Sequence, residues 1–189
     1  MPSIKQNNRL SQWVSSNADA LGVCFICAIS LYTGLDFLSD RFSWGVFQER
    51  DISRVAHFLL GNGLSHLGPE LNSGGFLPGP GLTLIFTPFV FFLKSPQAIH
   101  FLIQLSFIFS IILSFLLTRH YFNRTIAYIS TIMLISVDFF ISLAYTGLHH
   151  SLIVFFMLLI LYVFHLHTQT KNNIYAFLMG CLMGLGLQV

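Results

Sequence analysis

Long apolar runs with almost no charge constrain this chain more than any other feature of its sequence. Crossing a bilayer as a helix takes about 17 to 25 apolar residues, and four runs meet this requirement: 20–38, 97–118, 125–144 and 150–167. A further run begins at residue 174 and reaches Val189. Only 8% of the residues are charged, against about 25% in a soluble domain, so the chain lacks the polar surface to cover a globule in water. We therefore predict an all-α, polytopic transmembrane helix bundle of about five spans.

The net charge and the cysteines further limit the classes of function that the chain can have. The net charge of +2 is too small to indicate nucleic acid as a partner. Cys24 and Cys27 form a C-x-x-C pair, which is compatible with a redox or metal site, but no second cysteine pair completes a zinc site. All the cysteines lie in apolar runs, so we interpret them as small apolar residues of spanning helices.

The orientation depends on residues 81–93, which are apolar, short for a span and interrupted by Pro88. If this segment crosses the bilayer, only Lys5, Arg9 and Lys94 lie inside with the N-terminus. If it is re-entrant or lies on the surface, five cations lie inside and four outside, which fits the positive-inside bias better. We therefore predict a cytoplasmic tail over residues 1–19 and one transmembrane domain over 20–189. We expect an outer loop with surface or re-entrant helices over 39–96, and we expect the domain to be incomplete at the C-terminus because the last span is truncated.

The stretch from Glu49 to Pro80 is the longest that is neither apolar nor low in complexity. Apolar residues recur at helical spacing in its first part, at Ile52, Val55, Leu59 and Leu60, and the polar Asp51, Arg54 and His57 fall off that face. Residues 49–60 are thus predicted to form an amphipathic helix on the membrane surface. The glycines and prolines of residues 61–80 predict a loop.

In this topology, polar residues from separate segments converge on the outer face, as an active site requires: Asp51, Glu70, Asp138, His149, His150 and Gln188. Asp138 lies inside an apolar run, and acids in such positions are rare and usually functional. Purely structural roles for these polar residues stay open as alternatives to functional ones. The charged residues 49–54 would form a solvated face of paired ions, Glu70 would end a turn, and Asp138 would reach the interface from a helix end.

This arrangement resembles the N-terminal part of the multi-spanning glycosyltransferases of the GT-C fold, a group that includes the protein O-mannosyltransferases, the aminoarabinose transferase of lipid A and their bacterial relatives. Gln48, Arg50 and Asp51 match a "DQARD"-like element of the bacterial members. Gly68-Pro69 and Gly74-Gly75 to Pro80 match the glycine-proline segment that follows, and Gly184 to Gln188 is similar to a later helix. The chain has Phe47 where the family has its leading acid, which is expected to be catalytic.

The resemblance implies transfer of a sugar from a polyprenyl-phosphate donor to an acceptor hydroxyl on the outer face of a bacterial inner membrane. The acceptor would be a glycan, a lipid or a protein. With Phe47 in the leading position, the general base would be Asp51 or Glu49. The remaining candidates for binding the lipid phosphate or the substrate are Arg54, His66, Glu70, Lys94 and Asp138. No cofactor is assigned, and a divalent metal ion stays open.

Two other functions are compatible with the sequence. A transporter or flippase fragment would show polar residues along a path across the midplane and a repeat of similar halves, and no such repeat is present. A non-catalytic membrane subunit would pack against partner helices through Gly180 and Gly184, which form a small-xxx-small pair.

Overall fold

The structure is a computed structural model that describes residues 17–32, 46–64, 80–95, 97–137 and 150–188. Within these ranges the chain forms seven α-helices and no strand. The helices are α1 (Asn17–Tyr32), α2 (Val46–Leu59), α3 (Gly81–Leu93), α4 (Gln97–Tyr121), α5 (Arg124–Ser136), α6 (Ser151–Thr170) and α7 (Asn173–Gly186). The predicted all-α class is therefore confirmed.

Each apolar run predicted to span the membrane contains a helix, but α5 ends at Ser136, with Val137 in an extended conformation, inside the predicted run 125–144. By length and composition α4, with 25 residues, and α6, with 20 residues, can cross a bilayer, whereas α1, α3, α5 and α7 are shorter apolar helices. Two of the predicted spans continue into residues 33–45 and 138–149, which lie outside the described part of the chain. The count of about five spans stays a prediction.

Asparagine caps explain where two of these helices begin. The side chain of Asn123 accepts a hydrogen bond from the amide of Ile126 at 2.9 Å, and that of Asn172 accepts one from the amide of Ile174 at 3.0 Å. Each cap satisfies an amide that the first turn of a helix leaves without an intrahelical partner. The turns between α4 and α5 and between α6 and α7 are consequently short, so each pair forms a helical hairpin.

One end of the bundle, which we call the site end, is built around an apolar cluster. Its buried members come from four helices: Val55 of α2, Leu82 and Phe86 of α3, Ile99 and Ile103 of α4, and Leu152 and Phe156 of α6. Since the α4 and α6 residues belong to the first turns of their helices, both helices begin at the site end.

The opposite end, which we call the clasp end, is held by ion pairs. Asp19 of α1 contacts Arg119 of α4 through Oδ2 at 3.3 Å and Arg124 of α5 through Oδ1 at 2.6 Å. The hydroxyl of Tyr128 donates a hydrogen bond to the carbonyl of Ala18 at 3.0 Å. These contacts join the start of α1 to the turn between α4 and α5.

Two further sets of contacts, along α4 and at its end, show in which direction each helix runs. A second cluster packs Ile26 and Cys27 of α1 against Phe107 and Ile111 of α4. The hydroxyl of Tyr121 lies 3.1 Å from Nδ1 of His165, so α4 and α6 also end together at the clasp end. The helices α1, α5 and α7 therefore run away from the clasp end, and α4 and α6 run towards it.

The short helix α3 remains near the site end. Leu82 and Phe86 in its first half pack against the first turns of α4, and its last residue is only a few positions from the start of α4. Its 13 residues extend about 20 Å, against about 30 Å for the hydrocarbon core of a bilayer.

The outer surface of the bundle is apolar. Large side chains are exposed on most helices, among them Phe25 (68%), Phe92 (78%), Met133 (62%) and Phe177 (67%), and α7 has no buried residue. Soluble monomers rarely expose contiguous apolar surface on this scale, whereas lipid-facing helices do. The structure is accordingly that of a helical membrane protein.

The close approach of α1 to α5 predicts the effect of enlarging Gly22. A Cβ atom at this position would contact the hydroxyl of Tyr128 and come within 2.7 Å of its Cε1, so Tyr128 must shift and weaken its bond to Ala18. We expect Gly22→Ala to lower the free energy of unfolding by about 1–3 kcal/mol, as measured by thermal unfolding in detergent. Gly184→Ala is the matched control, since nothing lies within 4 Å of its added Cβ, and it should be neutral or stabilising. Equal effects of the two changes would contradict the packing described for α1.

Candidate functional site

The site is organised by the way α2 docks on the bundle. Val55 is fully buried (0% exposed) in the cluster of the site end, with Ile52 packed against the same cluster. Residues four apart lie on the same face of a helix, so Asp51 is carried to the buried side together with Val55 and is only 6% exposed. The sequence pattern placed Asp51 off the apolar face, and this prediction is wrong.

The two leucines assigned to the apolar face lie at the end of the helix. Leu59 and Leu60 are 39% and 78% exposed, and Leu60 follows the end of α2. Their place on a membrane-facing surface stays a prediction. Apolar residues occur on more than one side of α2, so the periodicity of the sequence does not show which side packs on the bundle. The contact of Val55 with the apolar cluster identifies that side. The helix itself, predicted over 49–60, is present and begins at Val46.

A cation accompanies the buried carboxylate. Nε of Arg50 lies 3.8 Å from Oδ1 of Asp51, a separation that is compatible with an ion pair and too long for a hydrogen bond. Burying an ionised carboxylate is costly unless opposite charge or hydrogen bonds compensate. Arg50, whose side chain is 25% exposed, brings part of that compensation and extends from the buried site towards the surface.

The other carboxylate proposed as a base has different surroundings. Glu49 is exposed on α2, in the first turn of the helix. An acid at this position interacts favourably with the positive end of the helix dipole. The backbone carbonyl oxygen of Glu49 accepts a hydrogen bond from the hydroxyl of Ser53 at 2.7 Å. Of the two carboxylates, only Asp51 belongs to the packed interior of the site end.

A polar cleft of about 420 Å³ lies on the neighbouring face of α2. Arg50, Arg54 and His57 line it at spacings of four and three residues, which places them in one row along the helix. Ser53 and Asn62 add uncharged polar groups. Two guanidinium groups and an imidazole in one cleft form a surface suited to an anion with several oxygen atoms, such as a phosphate.

A glycine turn closes this cleft. Gly61 and Gly63 have φ values of 80° and 88°, a left-handed conformation that ends α2 after Leu59. The chain then turns back, and the amide of Asn62 donates a hydrogen bond to the carbonyl of His57 at 3.3 Å. This turn brings Asn62 beside the row of cations.

Further polar residues lie at the site end. Gln188 follows α7 and contacts the start of α3, where a Cβ at Gly81 would come within 2.7 Å of its Oε1. His150 directly precedes α6, next to the buried Ser151 and Leu152. Asp51, His150 and Gln188 thus lie at the same end of the bundle, and their convergence on the outer face stays a prediction.

Four buried polar residues of α4 were not predicted from the sequence: His100, Gln104, Ser106 and Ser110. His100 is 4% exposed and Gln104 is 9% exposed, and they flank Ile99 and Ile103 of the apolar cluster. Their signal was available in the sequence, since these two large polar side chains lie one helical turn apart in a largely apolar run.

The remaining candidates are either peripheral or outside the described ranges. Lys94 is exposed and ends α3 in a left-handed conformation with φ of 50°. His66, Glu70, Asp138 and His149 lie outside the described residues. Among the residues that the structure does describe, no group of three or more His, Cys, Asp or Glu side chains is placed to bind a metal ion.

Together, the apolar exterior, the alternating helices and the polar site end define a membrane protein with a candidate site at one end of a helix bundle. Residues 82–189, more than half of the chain, match the family model described as dolichyl-phosphate-mannose-protein mannosyltransferase. The chain belongs to this family of membrane glycosyltransferases of the GT-C type, and the resemblance noted in the sequence is confirmed. The match begins after α2, so it includes Lys94 and Gln188 but not Glu49, Asp51 or Arg54. No curated protein and no solved structure matches the chain.

The docking of α2 predicts a large effect of Val55 and a small effect of Leu60. Val55→Ala removes buried methyl groups and leaves a cavity, so we expect it to lower the free energy of unfolding by about 2 kcal/mol. Leu60→Ala should have little effect because the side chain is 78% exposed. Thermal unfolding gives the comparison, and limited proteolysis should detect release of α2 in the Val55 variant alone. If both variants are cleaved at the rate of the unmodified chain, α2 does not depend on Val55 for docking.

Proposed function

We propose that the chain transfers a sugar from a polyprenyl-phosphate donor to an acceptor hydroxyl, with Asp51 as general base. The observation that carries this proposal is the buried carboxylate of Asp51 beside the cleft formed by Arg50, Arg54 and His57. Membership of the family supports the coarser function, that of a membrane glycosyltransferase. The donor, the acceptor and the roles of single residues are part of the proposal.

The chemistry requires two groups of opposite charge. A carboxylate accepts the proton of the acceptor hydroxyl while the oxygen attacks the anomeric carbon, and the bond from that carbon to the donor phosphate breaks. The attack occurs on the face opposite the leaving phosphate, as in an inverting glycosidase that uses water. Cations must bind the phosphate as its negative charge increases.

The geometry of α2 suits this division of roles. Successive residues of a helix are about 100° apart, so the row of Arg50, Arg54 and His57 lies about a quarter of a turn around the helix from Asp51. A phosphate in the cleft would therefore lie beside the carboxylate without contacting it directly. Arg54 would bind the phosphate, and Lys94 would interact with a lipid-linked substrate from the end of α3.

Asp51 is favoured over Glu49 as the base. A general base must have a fixed position within reach of the proton that it accepts. Asp51 is held against the core by its position one turn before Val55, whereas Glu49 is exposed and lies in the first turn of α2. His66, Glu70 and Asp138 remain candidate substrate-binding residues from the sequence.

Removing the two carboxylates separately tests this assignment. We expect Asp51→Asn to lower the transfer rate by about 100-fold or more, because the amide cannot accept the proton. Glu49→Gln, which removes the same charge from the same helix, should retain most of the activity. The assay uses the complete chain in lipid vesicles with polyprenyl-phosphate-linked mannose as probe and measures release of polyprenyl phosphate. Thermal unfolding verifies that both variants are folded.

The opposite ranking of these variants would assign the base to Glu49. If both retain full transfer activity, neither carboxylate is the base, and the catalytic proposal is wrong.

We also propose that the site end faces the outer side of the membrane and that α3 does not cross it. The length of α3 supports this arrangement, because its 13 residues are fewer than the roughly 17 to 25 that a membrane-spanning helix needs. The clasp end, with Arg119, Arg124 and Lys171, would then face the inside, in agreement with the positive-inside bias.

Cysteine labelling tests this orientation. In a chain whose native cysteines are replaced by alanine, Asn62→Cys and Lys94→Cys should react with a membrane-impermeant maleimide from the same side. Lys171→Cys should react only from the opposite side or after permeabilisation. These positions are all exposed, so accessibility is matched. Reaction of Asn62→Cys and Lys94→Cys from opposite sides, with Asn62→Cys reacting from the side of Lys171→Cys, would mean that α3 crosses the membrane.

A further inference from the structure

The turn between α4 and α5 at the clasp end combines cations with exposed aromatic rings. It extends from Arg119 to Arg124, and both arginine side chains are 46% exposed. Tyr121 is 58% exposed and Phe122 is 65% exposed. None of these residues belongs to the site built on α2, which lies at the other end of the bundle.

The cations of this turn are only partly neutralised. Asp19 is shared between Arg119, at 3.3 Å, and Arg124, at 2.6 Å. One carboxylate against two guanidinium groups leaves the cluster with an excess positive charge. Both arginines approach Asp19 through Nε. The exposed Lys171 adds a further cation at the same end of the bundle.

The exposed aromatic rings place this charge at a definite depth. The hydroxyl of Tyr121 is held by Nδ1 of His165 at 3.1 Å, so this ring has a fixed position at the end of α4. Tyrosine and tryptophan side chains are enriched at the level of the lipid headgroups, where their amphipathic rings meet both hydrocarbon and water. A tyrosine in this position would place the neighbouring arginines at the level of the lipid phosphates.

We propose that Arg119 and Arg124 form a binding site for the phosphate of an anionic phospholipid headgroup, with Phe122 inserted at the boundary of the acyl chains. The headgroup phosphate supplies the negative charge that Asp19 alone does not. Guanidinium groups bind phosphate through several parallel hydrogen bonds, which favours arginine over lysine for this role. The proposal is independent of the transferase function and of which leaflet the clasp end faces.

Lipid selectivity of the complete chain in nanodiscs tests this proposal. Electron paramagnetic resonance compares the association of spin-labelled phosphatidylglycerol with that of spin-labelled phosphatidylcholine. We expect a preference for phosphatidylglycerol that Arg119→Gln or Arg124→Gln lowers by about fivefold, since a cation near the membrane surface contributes about that factor to the binding of anionic lipid. Arg124→Lys keeps the charge but loses the parallel hydrogen bonds, so it should retain more of the preference than Arg124→Gln and less than the unmodified chain.

Asp19→Asn separates lipid binding from integrity of the fold. It breaks the same ion pairs as the arginine variants but keeps both guanidinium groups, so the melting temperature should fall while the preference for phosphatidylglycerol is kept or increases. If Asp19→Asn abolishes the preference as fully as the arginine variants, the selectivity depends on the fold of the clasp end and the proposal is wrong. An unchanged preference in both glutamine variants would also overturn it.

A last comparison identifies the source of the phosphate. Inorganic phosphate added to the nanodiscs should not displace the spin-labelled phosphatidylglycerol, because a soluble ion lacks the acyl chains that place the headgroup at this depth. Displacement by inorganic phosphate at constant ionic strength would assign the site to a free anion instead of a lipid. Raising the salt concentration should weaken the preference, as expected for partly exposed charges.

Discussion

The packing of Val55 into the cluster of the site end is the contact on which the candidate site depends. The structure describes α2 and the turn that follows it, but not the chain segments on either side of them. Within the described residues, α2 contacts the apolar cluster through Val55 and Ile52. Because Asp51 precedes Val55 by one helical turn, the apolar contact also fixes the carboxylate. The same contact turns the row of Arg50, Arg54 and His57 towards the surface. A single apolar side chain thus determines which charges of α2 are buried and which remain accessible.

The helix α4 connects this site to the clasp end. Its 25 residues extend about 37 Å, and its first turns belong to the apolar cluster while its last turn contacts α1 and α6. The two ends are stabilised differently. Apolar burial holds the site end, whereas the ion pairs of Asp19 hold the clasp end, and their contribution is small because the charges are partly exposed. The positions of the helices therefore depend mainly on the packing along α4.

The helices could be predicted from the sequence because burial in lipid imposes long apolar runs, and these runs define most boundaries to within a few residues. The face of α2 was predicted incorrectly, since apolar residues on both sides of the helix fit its periodicity and only the tertiary contact of Val55 distinguishes them. His100 and Gln104 were overlooked because the hydropathy of the whole run conceals single polar residues. The pairing of Asp19 with Arg119 joins residues 100 positions apart, and one sequence carries no sign of such a contact.

The distribution of polar groups separates the two ends by function. At the clasp end the charges are partly exposed, and one carboxylate compensates two guanidinium groups only in part. At the site end Asp51, His100, Gln104 and Ser151 are buried beside an apolar cluster, where each polar group costs free energy unless it has a partner. Apolar residues of similar volume would stabilise that packing at least as well. A fold selected only for stability would not concentrate these groups at the end of the bundle on which α2 and its cationic cleft dock, and this concentration is the strongest physical reason to propose the chemistry there.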